Sequence, residues 1–239
     1  MRGWGGRWRG RGGWLTIRAV PGAAFYDLDG TLIRTNLVHA LAFFARNDRG
    51  ILRSLASTAA TYAAIPLFFA ADLYGRRTFN NLFFRWYRGQ SEDRLRVLSD
   101  ELFEEVVKPS LFPGARALVE HSRSRHLRQV LVTGALDFTL DPLVRDLGLD
   151  DYGANQLDFV DGFATGHLVP PVMAGPAKAA WIRAYAEREG LSLADSYGYA
   201  DSISDLPMLS VVGHPTPTNP DLRLRSVARE NGWPIVSLA

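Results

Sequence analysis

The sequence predicts an α/β protein: a Rossmann-like parallel sheet core with an all-helical cap domain inserted after the first strand. Three observations predict it. Short apolar runs each stop at polar residues: AAFY before Asp27, QVLV before Thr133-Gly134 and SYGYA before Asp201. Helical patterns alternate with those runs, as βαβ units and a parallel sheet require, with ligands bound at the carboxyl ends of the strands. Residues 37–109 instead run helical throughout, and the α/β pattern resumes just before LFPG at 111–114.

Taken in order, residues 1–20 open with MRGWGGRWRGRGGW, a Gly/Arg/Trp composition that cannot pack a core and reads as a disordered tail. This stretch holds five of the 27 basic residues and no acid, leaving 22 basic against 25 acidic in the remainder. The core is therefore not a nucleic-acid binder by charge, and only the tail has the composition of an RNA-binding segment. Arg18 interrupts the one apolar stretch that could serve as a secretory signal, so a cytoplasmic protein is expected. There are no cysteines, which excludes disulfides and thiolate metal sites.

The first strand spans Ala23–Tyr26, and residues 21–36 with 110–239 form the expected core around a cap at 37–109. A helical insert at that point reads as a lid over a site. Within the lid, residues 54–71 are eighteen positions without a charge, but they include four Ser or Thr and a central Pro66. Two packed helices broken at Ile65-Pro66 are expected there, with weak membrane contact or an apolar pocket wall as the other uses of such a surface. Helices are expected over Ala115–Arg125, Asp137–Leu147 and Ala177–Glu189. LDFVDGFATGHLV reads as a hairpin turning at Asp161-Gly162.

Four pieces carry chemistry. In Asp27-Leu28-Asp29-Gly30-Thr31, residues i and i+2 of an extended segment face one side, so two carboxylates meet at one spot. Asp27 can act as a carboxylate nucleophile towards phosphorus, and Asp29 can move a proton to the leaving oxygen and from water. Thr133-Gly134 offers a hydroxyl and backbone N–H groups for phosphate oxygens. Lys178 falls in the first turn after Gly175-Pro176, where the helix dipole disfavours a cation unless an anion offsets it. Asp201 and Asp205, in DSISDLPML, add carboxylates that with Asp27 suit a hard Mg²⁺.

Together and in this order, the four resemble the haloacid dehalogenase superfamily of phosphatases, in its phosphoserine-phosphatase-like branch, over residues 23–239. The resemblance implies Asp27 as nucleophile, Asp29 as acid/base, and Thr133, Gly134 and Lys178 as phosphate-binding groups. It implies Mg²⁺ held by Asp27, the Asp29 backbone carbonyl and Asp201, with Asp205 supporting Lys178 or the metal site. The expected activity is Mg²⁺-dependent hydrolysis of a small phosphorylated metabolite or a lipid-like phosphate through an aspartyl-phosphate. Phosphoserine hydrolysis, phosphoryl transfer and an RNA-binding role for the tail stand as the other readings, and the oligomeric state stays open. Phosphoserine-specific relatives generally carry a Glu nine residues beyond the nucleophile, where this chain has Asn36, and an Asn where it has Ser204. Asn36 and the lid arginines Arg77, Arg85 and Arg88 are the candidate specificity residues.

Overall fold

The computed structural model describes residues 21–47, 51–74, 79 and 82–239; the Gly/Arg/Trp tail and Arg77 lie outside the described residues. Among the described residues six strands form one sheet: β1 (Ala23–Tyr26), β2 (Arg128–Leu136), β3 (Asp151–Val160), β4 (Phe163–Val169), β5 (Tyr197–Ala200) and β6 (His214–Pro217). Their order across the sheet is β4-β3-β2-β1-β5-β6, parallel except for β4, which returns antiparallel on β3. β1 lies centrally, between β2 on one side and β5 on the other.

Strand alternation sorts the core into two faces. Ala24 and Tyr26 of β1 pack with Leu131 and with Leu118 and Val119 of the helix Ala115–Ser124, while Ala23 and Phe25 point the other way with Val130 and Val132. Both faces are covered, which is why β1 is apolar at every position.

The helices with bounds among the described residues include α1 (Leu37–Arg46), α2 (Ile51–Tyr74), α3 (Glu92–Val97), α4 (Ser99–Leu102), α5 (Ala115–Ser124), α6 (Asp141–Leu147), α7 (Pro176–Glu189), α8 (Leu206–Leu209) and α9 (Leu222–Glu230). On one face of the sheet α5 and α6 contribute Leu118, Val119, Leu143 and Leu147; on the other, α7 contributes Ile182 and Tyr185. The described residues of the cap bury a separate aromatic cluster, in which Phe68 meets Phe83 at 5.3 Å and Trp86 at 5.7 Å between ring centroids. The β3–β4 hairpin joins this cluster through Leu157 and Ala164. Backbone bonds between Gln90 and Ala164 (2.9 Å) and from Glu92 to Gly162 (2.9 Å) dock its turn on the cap.

Several expectations are corrected. Residues 54–71 lie in one helix, α2, which runs through Pro66 without a break. Proline removes one backbone bond there, but Thr61, Ala64 and Phe68 form a single buried stripe on both sides of it, and that packing holds the helix in phase. Among the described residues, no helix is long and apolar enough to cross a membrane. β2 continues past Val132 to Leu136, with a register shift against β3 that spans Thr133 and Gly134. The first half of β3 and all of β6 went unread, since DYGANQ lacks β-branched residues and HPTP carries two prolines that suit an edge strand.

The continuous α2 yields a test. Phe68→Ala should destabilise the protein by about 3–5 kcal/mol, whereas Leu67→Ala, at a 53% exposed position, should change stability by less than about 0.5 kcal/mol. Urea denaturation of both variants checks the phase of the helix, and equal losses would contradict it.

Candidate active site

In a doubly wound sheet the crevice for a ligand opens where neighbouring strands leave the central strand in opposite directions. That point is β1, and the chain places an aspartate just beyond it and another just beyond β5: Asp27 and Asp201. The Asp27 amide donates to the Tyr199 carbonyl at 2.9 Å, which ties the end of β1 to β5. The loop then folds back on itself, with the Gly30 amide on the Ile33 carbonyl at 2.8 Å and the Leu32 amide on the Leu28 carbonyl at 2.9 Å. Gly30 adopts φ +79°, and a Cβ there would stand 2.1 Å from Asp201 Oδ2. Only glycine allows the turn to lie against the second acid.

Lys178, in the first turn of α7, reaches between the strand ends and is almost fully buried. Its Nζ lies 2.6 Å from Asp27 Oδ1 and 2.8 Å from Asp205 Oδ1. Burial works against its charge, but the charges of Asp27 and Asp205 outweigh it and hold the ammonium's pKa above the ordinary lysine value. The anion that offsets the helix dipole is thus a pair of carboxylates within the protein. Burial raises the pKa of Asp27 above the ordinary carboxylate value, and the Lys178 charge opposes that shift without reversing it.

Asp201 completes the cluster. One oxygen from each of Asp27, Asp201 and Asp205 lies within 4.8 Å of the others. Ser202, rather than Asp201, caps the following turn, accepting from the Ser204 amide at 3.3 Å. The Asp201 pKa is pushed up to about 8 by burial, with the charges of Asp27 and Asp205 adding to it. With all three carboxylates ionised, one ammonium leaves two negative charges in excess, the complement of a hard divalent cation with oxygen ligands. Thr31, fully buried, sets its hydroxyl 3.4 Å from both Asp27 Oδ2 and Asp201 Oδ1.

A pocket of about 290 Å³ opens over these groups. Asp29, Gly134, Lys178 and Asn36 line it together with Asp27, Asp201 and Asp205, so most of the candidate residues converge on one cavity. Thr133, expected to bind phosphate, does not line it: the residue is fully buried and its hydroxyl accepts from the Ala135 amide at 3.1 Å. Asn36 caps α1: its side chain accepts from the Val38 amide at 3.1 Å, and His39 closes the reciprocal capping bond. Arg85 and Arg88 are not brought to this pocket; both are exposed beside the hairpin, where Arg88 Nε donates to the Thr165 carbonyl at 3.0 Å.

Three residues of the site carried no readable signal. Arg34 and Thr35 line the pocket from the segment leading into α1. Asn155, buried in β3, donates to the Gly134 carbonyl at 2.7 Å and accepts from the Met173 amide at 2.7 Å. It thereby pins two walls of the cavity, and nothing in GANQ marks it out. Thr31 was visible in the motif but had no assigned task.

Comparison with known proteins finds relatives of this chain in both sequence and structure. Residues 24–210 match the family model described as haloacid dehalogenase-like hydrolase. The chain is 33% identical over 227 residues to phosphoserine phosphatase SerB1 of Mycobacterium tuberculosis, covering 90% of this chain and 70% of the relative. It is 28% identical over 195 residues to a phosphoserine phosphatase of Streptococcus thermophilus, covering 81% and 82%. A solved structure of a protein of unknown function from Bordetella pertussis superposes with a TM-score of 0.81 at 24% identity, over 92% of this chain and all of that one.

Two outcomes follow from the cluster. Gly30→Ala should cost about 1–2 kcal/mol through backbone conformation alone and should displace Asp201, so both the thermal midpoint and any cation-dependent activity should drop. Asp201 holds its proton more tightly in the folded than in the unfolded chain, so the chelator-treated protein should lose stability as pH rises from the ordinary carboxylate range through about 8. Mg²⁺ should therefore raise the thermal midpoint more at pH 8 than at pH 5; equal shifts at the two pH values would contradict the excess-charge account.

Proposed function

Because the chain belongs to the haloacid dehalogenase-like hydrolase family, we propose that it is a Mg²⁺-dependent phosphatase that hydrolyses a small phosphomonoester through an aspartyl-phosphate on Asp27. The observation that carries the reading is the buried Lys178 held at 2.6 Å by Asp27 and at 2.8 Å by Asp205, with Asp201 beside them at the mouth of the sheet's switch point.

The roles follow from environment. Lys178 holds one oxygen of Asp27, favouring the ionised carboxylate against the effect of burial and fixing it in direction for attack on phosphorus. The bond from phosphorus to the leaving alkoxide breaks as the bond to Asp27 forms, and Asp29, which lines the same pocket, gives the alkoxide its proton. Asp29 then takes a proton from the water that attacks phosphorus, which releases phosphate and returns Asp27. Gly134, on the register shift of β2, presents backbone to the phosphoryl oxygens. Asp27, Asp201 and Asp205 would hold Mg²⁺ through side-chain oxygens, with the Asp29 backbone carbonyl as a further ligand. Bound there, the ion neutralises charge on the phosphoryl oxygens. The pocket volume of about 290 Å³ favours a small metabolite over a lipid-like phosphate.

Phosphate release from p-nitrophenyl phosphate tests the proposal. Asp27→Asn should abolish Mg²⁺-dependent release, and Asp29→Asn should lower kcat by about 10²–10⁴-fold. An Asp27→Asn protein as active as the wild type would refute the mechanism.

A further inference from the structure

We infer that Arg34 is the specificity-determining cation of the pocket, and that the substrate is a small phosphomonoester bearing a carboxylate and no free ammonium. The inference rests on the phosphomonoesterase reading above and names its substrate class.

Three polar residues, Arg34, Thr35 and Asn36, line the pocket along the segment between the nucleophile loop and α1. Two of them are committed to the protein. The Thr35 hydroxyl is bonded to the Ser110 hydroxyl at 3.0 Å, and the Asn36 amide oxygen caps α1 and lies 3.1 Å from His39 Nδ1. Arg34 differs. Its backbone amide is anchored on the Ser110 carbonyl at 2.8 Å, and its guanidinium lies 5.2 Å from the centroid of the Phe112 ring. Among the described residues no carboxylate pairs with that guanidinium and no acceptor takes its N–H groups. An arginine fixed at its base, set against an aromatic ring and with no acceptor among the described residues suits a planar anion.

Charge decides which anion. Among the described residues, the carboxylates lining the pocket are Asp27, Asp29, Asp201 and Asp205, and each has a task in the chemistry or in holding a cation. A substrate ammonium would find no free carboxylate and would face the Arg34 guanidinium. One guanidinium balances one carboxylate, whereas a second phosphate dianion would bring twice the charge. The fork–carboxylate match therefore selects a phosphorylated carboxylic acid, and it disfavours phosphoserine by that molecule's ammonium.

The test measures kcat/KM for 3-phosphoglycerate, glycerol 3-phosphate, O-phosphoserine and p-nitrophenyl phosphate on the full chain with Mg²⁺. The wild type should prefer 3-phosphoglycerate to glycerol 3-phosphate by about tenfold, the worth of one charge-assisted hydrogen-bonded contact, and should disfavour O-phosphoserine relative to 3-phosphoglycerate. Arg34→Gln should bring the first ratio close to one, chiefly through KM, and Arg34→Lys should restore part of it. Thermal midpoints of both variants should match the wild type, because the side chain is exposed. Release from p-nitrophenyl phosphate with no preference for the carboxylate, or a preference that survives Arg34→Gln, would overturn the inference and leave the phosphatase reading standing. No release from any of the four substrates would overturn both.

Discussion

The arrangement depends on one buried ammonium. Lys178 sits 151 residues from Asp27 in the chain, yet its Nζ is enclosed between Asp27 and Asp205 at hydrogen-bonding distance. An ammonium taken out of water costs several kcal/mol unless it is paired and hydrogen-bonded. The fold meets that condition by converging the ends of β1 and β5 on the first turn of α7. The same condition makes the site fragile, since removal of either carboxylate strands a charge that burial has already desolvated. The pairing joins stability to chemistry: the contact that tolerates the lysine also orients the carboxylate proposed as nucleophile.

Around that contact the backbone is shaped to fit. Gly30 lets the loop after β1 lie against Asp201, where a Cβ would collide. Asn155 spends its side-chain amide on Gly134 and Met173, so the register shift in β2 and the segment before α7 move as one wall. The start of α1 lines another side of the pocket, through Leu37 and the N-cap residue Asn36. Asn36 is used to begin a helix, and among the described residues the nearby Arg34 guanidinium has no carboxylate partner. The hairpin docked on the cap couples the lid to the sheet, because β3 pairs with β2 along one half and carries β4 along the other.

Much of this was legible because the signals were local. β1 and β5 are short apolar runs that end at an acid, the Asp161-Gly162 turn fixes its hairpin, and Gly175-Pro176 marks the start of α7 within one residue. The four chemical pieces were readable in order, and the structure brings Asp27, Asp29, Gly134, Lys178, Asp201 and Asp205 to one cavity. What was not legible depends on partners distant in sequence. Pro66 argued for a break, and only the buried stripe of Thr61, Ala64 and Phe68 shows why α2 continues. Asn155 earns its place from contacts to residues 21 positions before it and 18 after it. Arg85 and Arg88 looked like substrate readers from their place in the lid, but they face the hairpin, while Arg34 was overlooked because a lone arginine in a connecting segment has no pattern around it.

The central claim is that Asp27 carries the phosphoryl group in transit. Acid-quenching the Mg²⁺-loaded protein during turnover of a substrate labelled in its phosphate, followed by peptide mapping, tests it most directly. The account predicts label on the peptide containing Asp27, lost when turnover is complete and absent from Asp27→Asn. Active turnover with label confined to other peptides would contradict it.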